Sequence, residues 1–116
     1  MNKYPCSVVR IIDGDTLVLK IDLGFSITTI QRVRLLGVDT PEINRKISQE
    51  AGYKASLFVQ KWVLDSESDL IFEHNFTVET KKQDGFGRYL GIFRNRNEES
   101  LSDDLIKSGH GVPYKK

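Results

Sequence analysis

Short apolar runs punctuated by glycine fill the first forty positions, and apolar residues at helical spacing follow them. Val8, Val9, Ile11 and Ile12 mark Ser7 to Ile12 as a first strand, and Thr16 to Leu23 continues as a second after a break at Asp13-Gly14. Gly14 accepts backbone angles closed to other residues, so a bulge or tight bend is expected there, re-aiming Asp15 without ending the sheet. Leu23-Gly24-Phe25 reads as a turn, and a third strand runs from Ile27 to Val38. Arg32 and Arg34 share one face of that strand while Val33 and Leu35 share the other. An antiparallel hairpin centred near Gly24 and Phe25 sets Asp15 opposite the Arg34 region, with Asp39 just beyond.

The period then changes. Ala51, Ala55, Phe58 and Trp62 fall on one face of a helix predicted from Ser48 to Leu64, with Ser48 as N-cap and Glu50 in the first turn. An aromatic in such a stripe packs, so Trp62 is read as core. Leu70 to Phe72 and Thr77 to Glu79 suggest extended segments, and Tyr89 to Phe93 another strand. A second helix is expected from Leu101 to Lys107, with Ser100 as N-cap, Asp103 in its first turn, Leu101 and Leu105 facing inward, and Gly109 past its end. The tail from Gly111 onward reads as irregular. Short strands with one helix between the third and fourth match an OB-fold: mainly β with α, a five-stranded barrel with two to three helices.

Composition narrows this picture. A chain of 116 residues suits one domain, 1–116, and 39% hydrophobic with 28% charged residues is ordinary globular usage. Seventeen Lys+Arg against sixteen Asp+Glu leave a formal net charge of +1, so any contact with a polyanion must come from a local cluster. Cys6 has no partner for an internal disulfide and reads as a small half-buried strand residue; Cys-based zinc binding is excluded. No apolar run approaches the roughly 20 residues that span a bilayer, and no membrane role is expected. Met1 to Arg10 lacks a secretory pattern, so the chain reads as intracellular, or as secreted if a leader was removed.

Three acidic or glycine-rich segments carry the candidate chemistry. Asp13-Gly14-Asp15-Thr16 alone is what ordinary turns use. In Val38-Asp39-Thr40-Pro41-Glu42, Pro41 pins the chain after the strand and holds two carboxylates three residues apart; as a structural element, it equally fits a capped strand end. Asp84-Gly85-Phe86-Gly87-Arg88 reads as a hairpin turn before a strand. With Arg34 of the third strand they offer two separated arginines and three or four carboxylates, the inventory that phosphodiester hydrolysis uses. His74 and His110 are not ligand-spaced with these motifs, which argues against a histidine metal site. Lys81-Lys82 and Lys115-Lys116 read as solvated surface.

In this order the three segments resemble the staphylococcal nuclease-like (thermonuclease) family, over roughly Ser7 to Gly109. The resemblance implies metal ligands at Asp15, Asp39 and the carbonyl of Thr40, phosphate-binding arginines at Arg34 and Arg88, and a catalytic glutamate at Glu42. Asp13 matches an acidic position behind the ligands. It also implies hydrolysis of DNA and RNA to 3′-phosphate products. An oxygen-only ligand set favours a hard cation, and a flexible shell suits Ca2+ over magnesium. Many members carry a basic residue and a tyrosine where this chain has Gly85 and Phe86. Phe86 and Tyr114 are then the candidate substrate contacts. A monomer is expected, with no obligate protein partner. The rival reading is an OB-fold nucleic-acid-binding module without catalysis; Glu42 beside two metal carboxylates argues against it, since added negative charge repels phosphate.

Overall fold

The computed structural model describes residues 2–67, 75–83 and 88–114. Strand β1 (Asn2–Asp13) turns at Gly14-Asp15 into β2 (Thr16–Asp22), which pairs antiparallel with β3 (Thr28–Leu35). After β4 (Gly37–Asp39) comes helix α1 (Gln49–Ser66), then β5 (Phe76–Gln83), β6 (Tyr89–Asn95), helix α2 (Leu101–Lys107) and β7 (Val112–Tyr114). β1 pairs with both β2 and β5, and β6 pairs parallel with β3, closing a five-stranded barrel in the order β1-β2-β3-β6-β5. This mainly β architecture, with two helices among the described residues, is the OB-type barrel expected from the strand spacing.

Closure follows from alternation. Leu17, Leu19 and Ile21 on β2 and Val33 and Leu35 on β3 point inward with Cys6, Val78 and Phe93, all buried. Removing this apolar surface from water drives the collapse. Trp62 of α1 completes an aromatic cluster, its ring centroid 6.1 Å from Phe76 and 5.8 Å from Phe93, and its indole N–H donates to Asp104 Oδ2 of α2 at 2.7 Å.

Several expected boundaries move. β1 runs beyond Ser7 to Ile12 because Asn2 to Cys6 pairs with β5, a partner remote in sequence. The third strand does not continue to Val38: it breaks at Leu36, and Gly37, with φ +85, restarts it as β4. The tail is not irregular, since Val112–Tyr114 forms β7 antiparallel to β4. On α1 the inward residues are Gly52, Ala55, Val59 and Val63, with Phe58 and Trp62 beside them, whereas Ala51 is exposed. Ser48 occupies the N-cap position, but its hydroxyl donates to the carbonyl of Glu42 at 2.7 Å rather than accepting from the helix. Ser100 does cap α2, accepting from Asp103 N. Cys6 is fully buried rather than half-buried, and burial pushes its thiol up to about 12. Leu70 to Phe72 lies outside the described residues.

Candidate active site

Gly14 makes a two-residue hairpin bend between Asp13 and Thr16, while the bulges of β1 lie earlier, between Val8 and Arg10 and between Ile11 and Asp13. A Cβ at Gly14 would stand 2.9 Å from Ala55 Cβ and 2.9 Å from Thr40 Oγ1, so only glycine lets the bend tuck beneath α1. Asp15 follows at once and is buried. Its Oδ1 accepts from the Thr16 hydroxyl at 3.1 Å, and its Oδ2 accepts from the Thr40 backbone N–H at 3.0 Å. The hairpin bend is thereby tied to the acidic corner twenty-five residues on. Pairing brings Arg34 opposite Thr16, one residue from the position expected.

Arg34 is the hub. Its Nη1 donates to the carbonyls of Leu35 (2.8 Å) and Val38 (2.7 Å), and its Nη2 lies 3.1 Å from Asp39 Oδ1 and 3.5 Å from Asp15 Oδ2. The guanidinium therefore stands between two carboxylates that would otherwise repel each other. Tyr114 on β7 places its ring 5.4 Å from the Arg34 guanidinium carbon. Glu42 sits on the loop before α1, its side chain 2.8 Å from Arg45.

Asp13, Asp15, Arg34, Asp39, Glu42, Arg88 and Tyr114 line one cavity of ≈ 300 Å³, with Leu35, Leu36, Gly37 and Leu90 forming its apolar wall. Thr40 is buried behind it, and its hydroxyl has no hydrogen-bond partner among the described residues. Phe86, with Gly85, lies outside the described residues. The Asp13 carboxyl is raised above its ordinary range, first by burial and then by the charges of Asp15 and Glu42, while the Ile43 N–H and Arg88 oppose the shift. His110 is not part of the cavity; its ring packs 5.1 Å from Phe58.

Among the described residues no three Asp, Glu, His or Cys side chains converge as a metal cage. A cation here would rest on the two carboxylates of Asp15 and Asp39 plus backbone oxygen such as that of Thr40. That donor set is all oxygen and is already arranged around one positive charge, Arg34, so it fits a hard cation that keeps part of its water. The sequence motifs missed the apolar wall and the Ser48 anchor. Leu36 and Leu90 carry no chemical signature, and the wall forms only when β3 and β6 pair.

An OB barrel whose side cavity sets two arginines among four carboxylates defines a protein of the small barrel class with a densely charged cavity on one side. The family model described as staphylococcal nuclease homologue matches residues 32–116, and the chain belongs to that family. It is 30% identical to an uncharacterized protein of Methanocaldococcus jannaschii over 96% of this chain and 59% of that protein. It is 29% identical to an uncharacterized endonuclease of Haemophilus influenzae (97% and 54%) and 28% identical to the thermonuclease of Staphylococcus hyicus (93% and 58%). The chain thus spans between 54% and 59% of these relatives' own lengths.

Proposed function

We propose that this chain is a calcium-dependent nuclease domain that hydrolyses phosphodiester bonds of DNA and RNA to leave 3′-phosphate ends. The observation that carries the reading is the gathering of Asp15, Arg34, Asp39, Glu42 and Arg88 around one cavity from segments as far apart in sequence as Asp15 and Arg88. Membership of the family and the printed names of the endonuclease and thermonuclease relatives support it.

Asp15, Asp39 and the Thr40 carbonyl would hold the ion, which when bound supplies positive charge to the phosphate oxygens. Arg34 and Arg88 donate to those oxygens and stabilise the charge that grows on them as a water oxygen bonds to phosphorus. Glu42 takes the proton from that water as general base, either directly or through a second water. The bond from phosphorus to the 5′ oxygen breaks, and that oxygen leaves with a proton from solvent. Tyr114 offers a ring face to a base beside the scissile phosphate, and Phe86 is assigned the same role from sequence alone.

The test is incubation of the protein with single-stranded DNA, double-stranded DNA and RNA, each with calcium, with magnesium and with chelator. Cleavage with calcium that chelator abolishes is expected. Equal turnover in chelator would remove the metal assignment. Binding without cleavage under every condition would leave the catalytically inactive OB-fold module as the correct description.

A further inference from the structure

Beyond the cavity, the outer face of the β1-β2-β3 sheet carries a second pattern. Register places Arg32 beside Val18 and Val18 beside Arg10 in one row across the three strands. The next row sets Ile30 beside Lys20 and Lys20 beside Ser7. Directly opposed residues point to the same side, so these rows follow the row of Arg34 and Thr16 along one face. Arg34 and Arg32 are two residues apart on β3, a step of about 7 Å. Arg10, Lys20 and Arg32 are exposed, and none is held in an ion pair among the described residues. In a chain whose net charge is only +1, three such cations on one sheet face leading from an arginine of the cavity are a directed feature.

At the far end of β3 the turn between β2 and β3 presents Phe25, 97% exposed. Its φ of 57 and that of Ser26, 62, lie in a region that disfavours side chains beyond glycine. The conformation is nevertheless locked: Leu23 N–H donates to Ile27 O at 2.9 Å, Ile27 N–H to Gly24 O at 2.9 Å, and Gly24 N–H to Asp22 Oδ1 at 2.8 Å. The fold holds a phenyl ring in water at a fixed position without packing it. Ile30, 60% exposed, lies between this ring and the arginines.

We infer that this face is the track along which a single nucleic-acid strand runs from the cavity, phosphates on Arg32, Arg10 and Lys20 and a base stacked on Phe25. The inference rests on the proposed nuclease reading for the identity of the strand. Charge complementarity and continuity with Arg34 favour a polyanion over an apolar partner. The six residue-to-residue steps from Thr28 to Arg34 reach about 20 Å, which suits the roughly 4–16 nucleotides that one OB-fold covers.

The experiment titrates fluorescent single-stranded DNA of four and of sixteen nucleotides into the wild type, R10A/K20A/R32A and Phe25→Ser, by anisotropy at several salt concentrations. Expected are a loss of about tenfold or more in sixteen-nucleotide affinity for the triple variant, and a salt slope shallower by about 2, from three lost phosphate contacts. Phe25→Ser should lose about fivefold or more on the longer strand. The four-nucleotide strand should respond less to both. Circular dichroism melts of each variant check that the barrel persists. Wild-type affinity and slope in a folded triple variant would overturn the track. Unchanged oligonucleotide affinity in Phe25→Ser, with loss of concentration-dependent self-association, would assign the ring to a second copy of the chain and overturn its stacking role. Failure of the nuclease reading is seen separately, as absence of cleavage while binding persists.

Discussion

Asp15, Arg34 and Gly14 show how few atoms decide the site. Gly14→Ala forces a methyl group into Ala55 Cβ and Thr40 Oγ1, each 2.9 Å away, so a loss of about 1–3 kcal/mol is expected in urea melts. Wild-type stability would mean that α1 can lift from the bend. Arg34 uses a rigid fork, with Nη1 on two carbonyls and Nη2 toward two carboxylates, and a lysine ammonium cannot span all four. Arg34→Lys should therefore lower single-turnover cleavage by roughly 10²-fold or more, nearly as far as Arg34→Ala. A lysine variant close to wild-type rate would show that charge alone is needed. Asp13 has its carboxyl raised, so the folded state binds its proton more tightly than the unfolded chain. Stability linked to this group is greatest below the ordinary aspartate value of about 3.9 and falls as pH rises through the raised value. Asp13→Asn keeps an acceptor for Ile43 N–H and removes the charge. It should be the more stable protein at pH 7, with the difference fading below about pH 4; a constant difference across pH would assign it to packing instead.

Among the elements, the corner between β3 and β4 carries the arrangement. Leu36 N–H donates to Gly91 O at 2.9 Å, and the Ser102 hydroxyl of α2 donates to Leu36 O at 2.7 Å. The turn that aims Asp39 is thus held by a helix sixty-six residues later. On the other side, a Cβ at Gly52 would stand 2.9 Å from both Ile43 N and Pro41 O, so α1 lies directly against the loop that carries Glu42. Ser102→Ala should cost about 1 kcal/mol of stability for the lost hydrogen bond. Because the bond holds the corner, the variant should also lose affinity for a calcium-bound mononucleotide in calorimetry. A stability loss with unchanged ligand affinity would confine Ser102 to a scaffold role. The elements were legible from sequence where one period ran unbroken, as in α2 and β2. They were misread where a short segment depends on a remote partner, as with β4 and β7.

For the whole molecule, the proposed ion site would link ion binding to folding. A cation that binds the folded chain alone stabilises it, by about 2.7 kcal/mol at a hundred times its Kd. Calcium should then raise Tm by about 10 °C or more for a chain of this size. Asp39→Asn should remove most of that rise while leaving the calcium-free Tm little changed, since Asp39 is exposed. Asp15→Ala is a poorer test, because it also strands the Thr40 N–H that Asp15 accepts. A full calcium response in Asp39→Asn would remove Asp39 from the ion site. The proposed cation would also answer the local excess of carboxylate that the near-neutral chain concentrates at one side of the barrel.

Short apolar runs broken at glycine, such as Ser7 to Ile12 and Thr16 to Leu23, determined the first strands, and helical spacing around Ala55 and Trp62 determined α1, because such patterns are a property of the chain itself. The three motifs likewise singled out Asp15, Asp39, Glu42 and Arg88, and the family resemblance added Arg34 and Tyr114, before any geometry was known. Only the tertiary structure decided that they share one cavity, that Arg34 bridges the two aspartates, and that the tail returns as β7 to set Tyr114 beside it. Those facts rest on pairings between residues as far apart as Gly37 and Tyr114. Local propensity is blind to such pairings, since each forms only after barrel closure has met the entropy of joining distant segments.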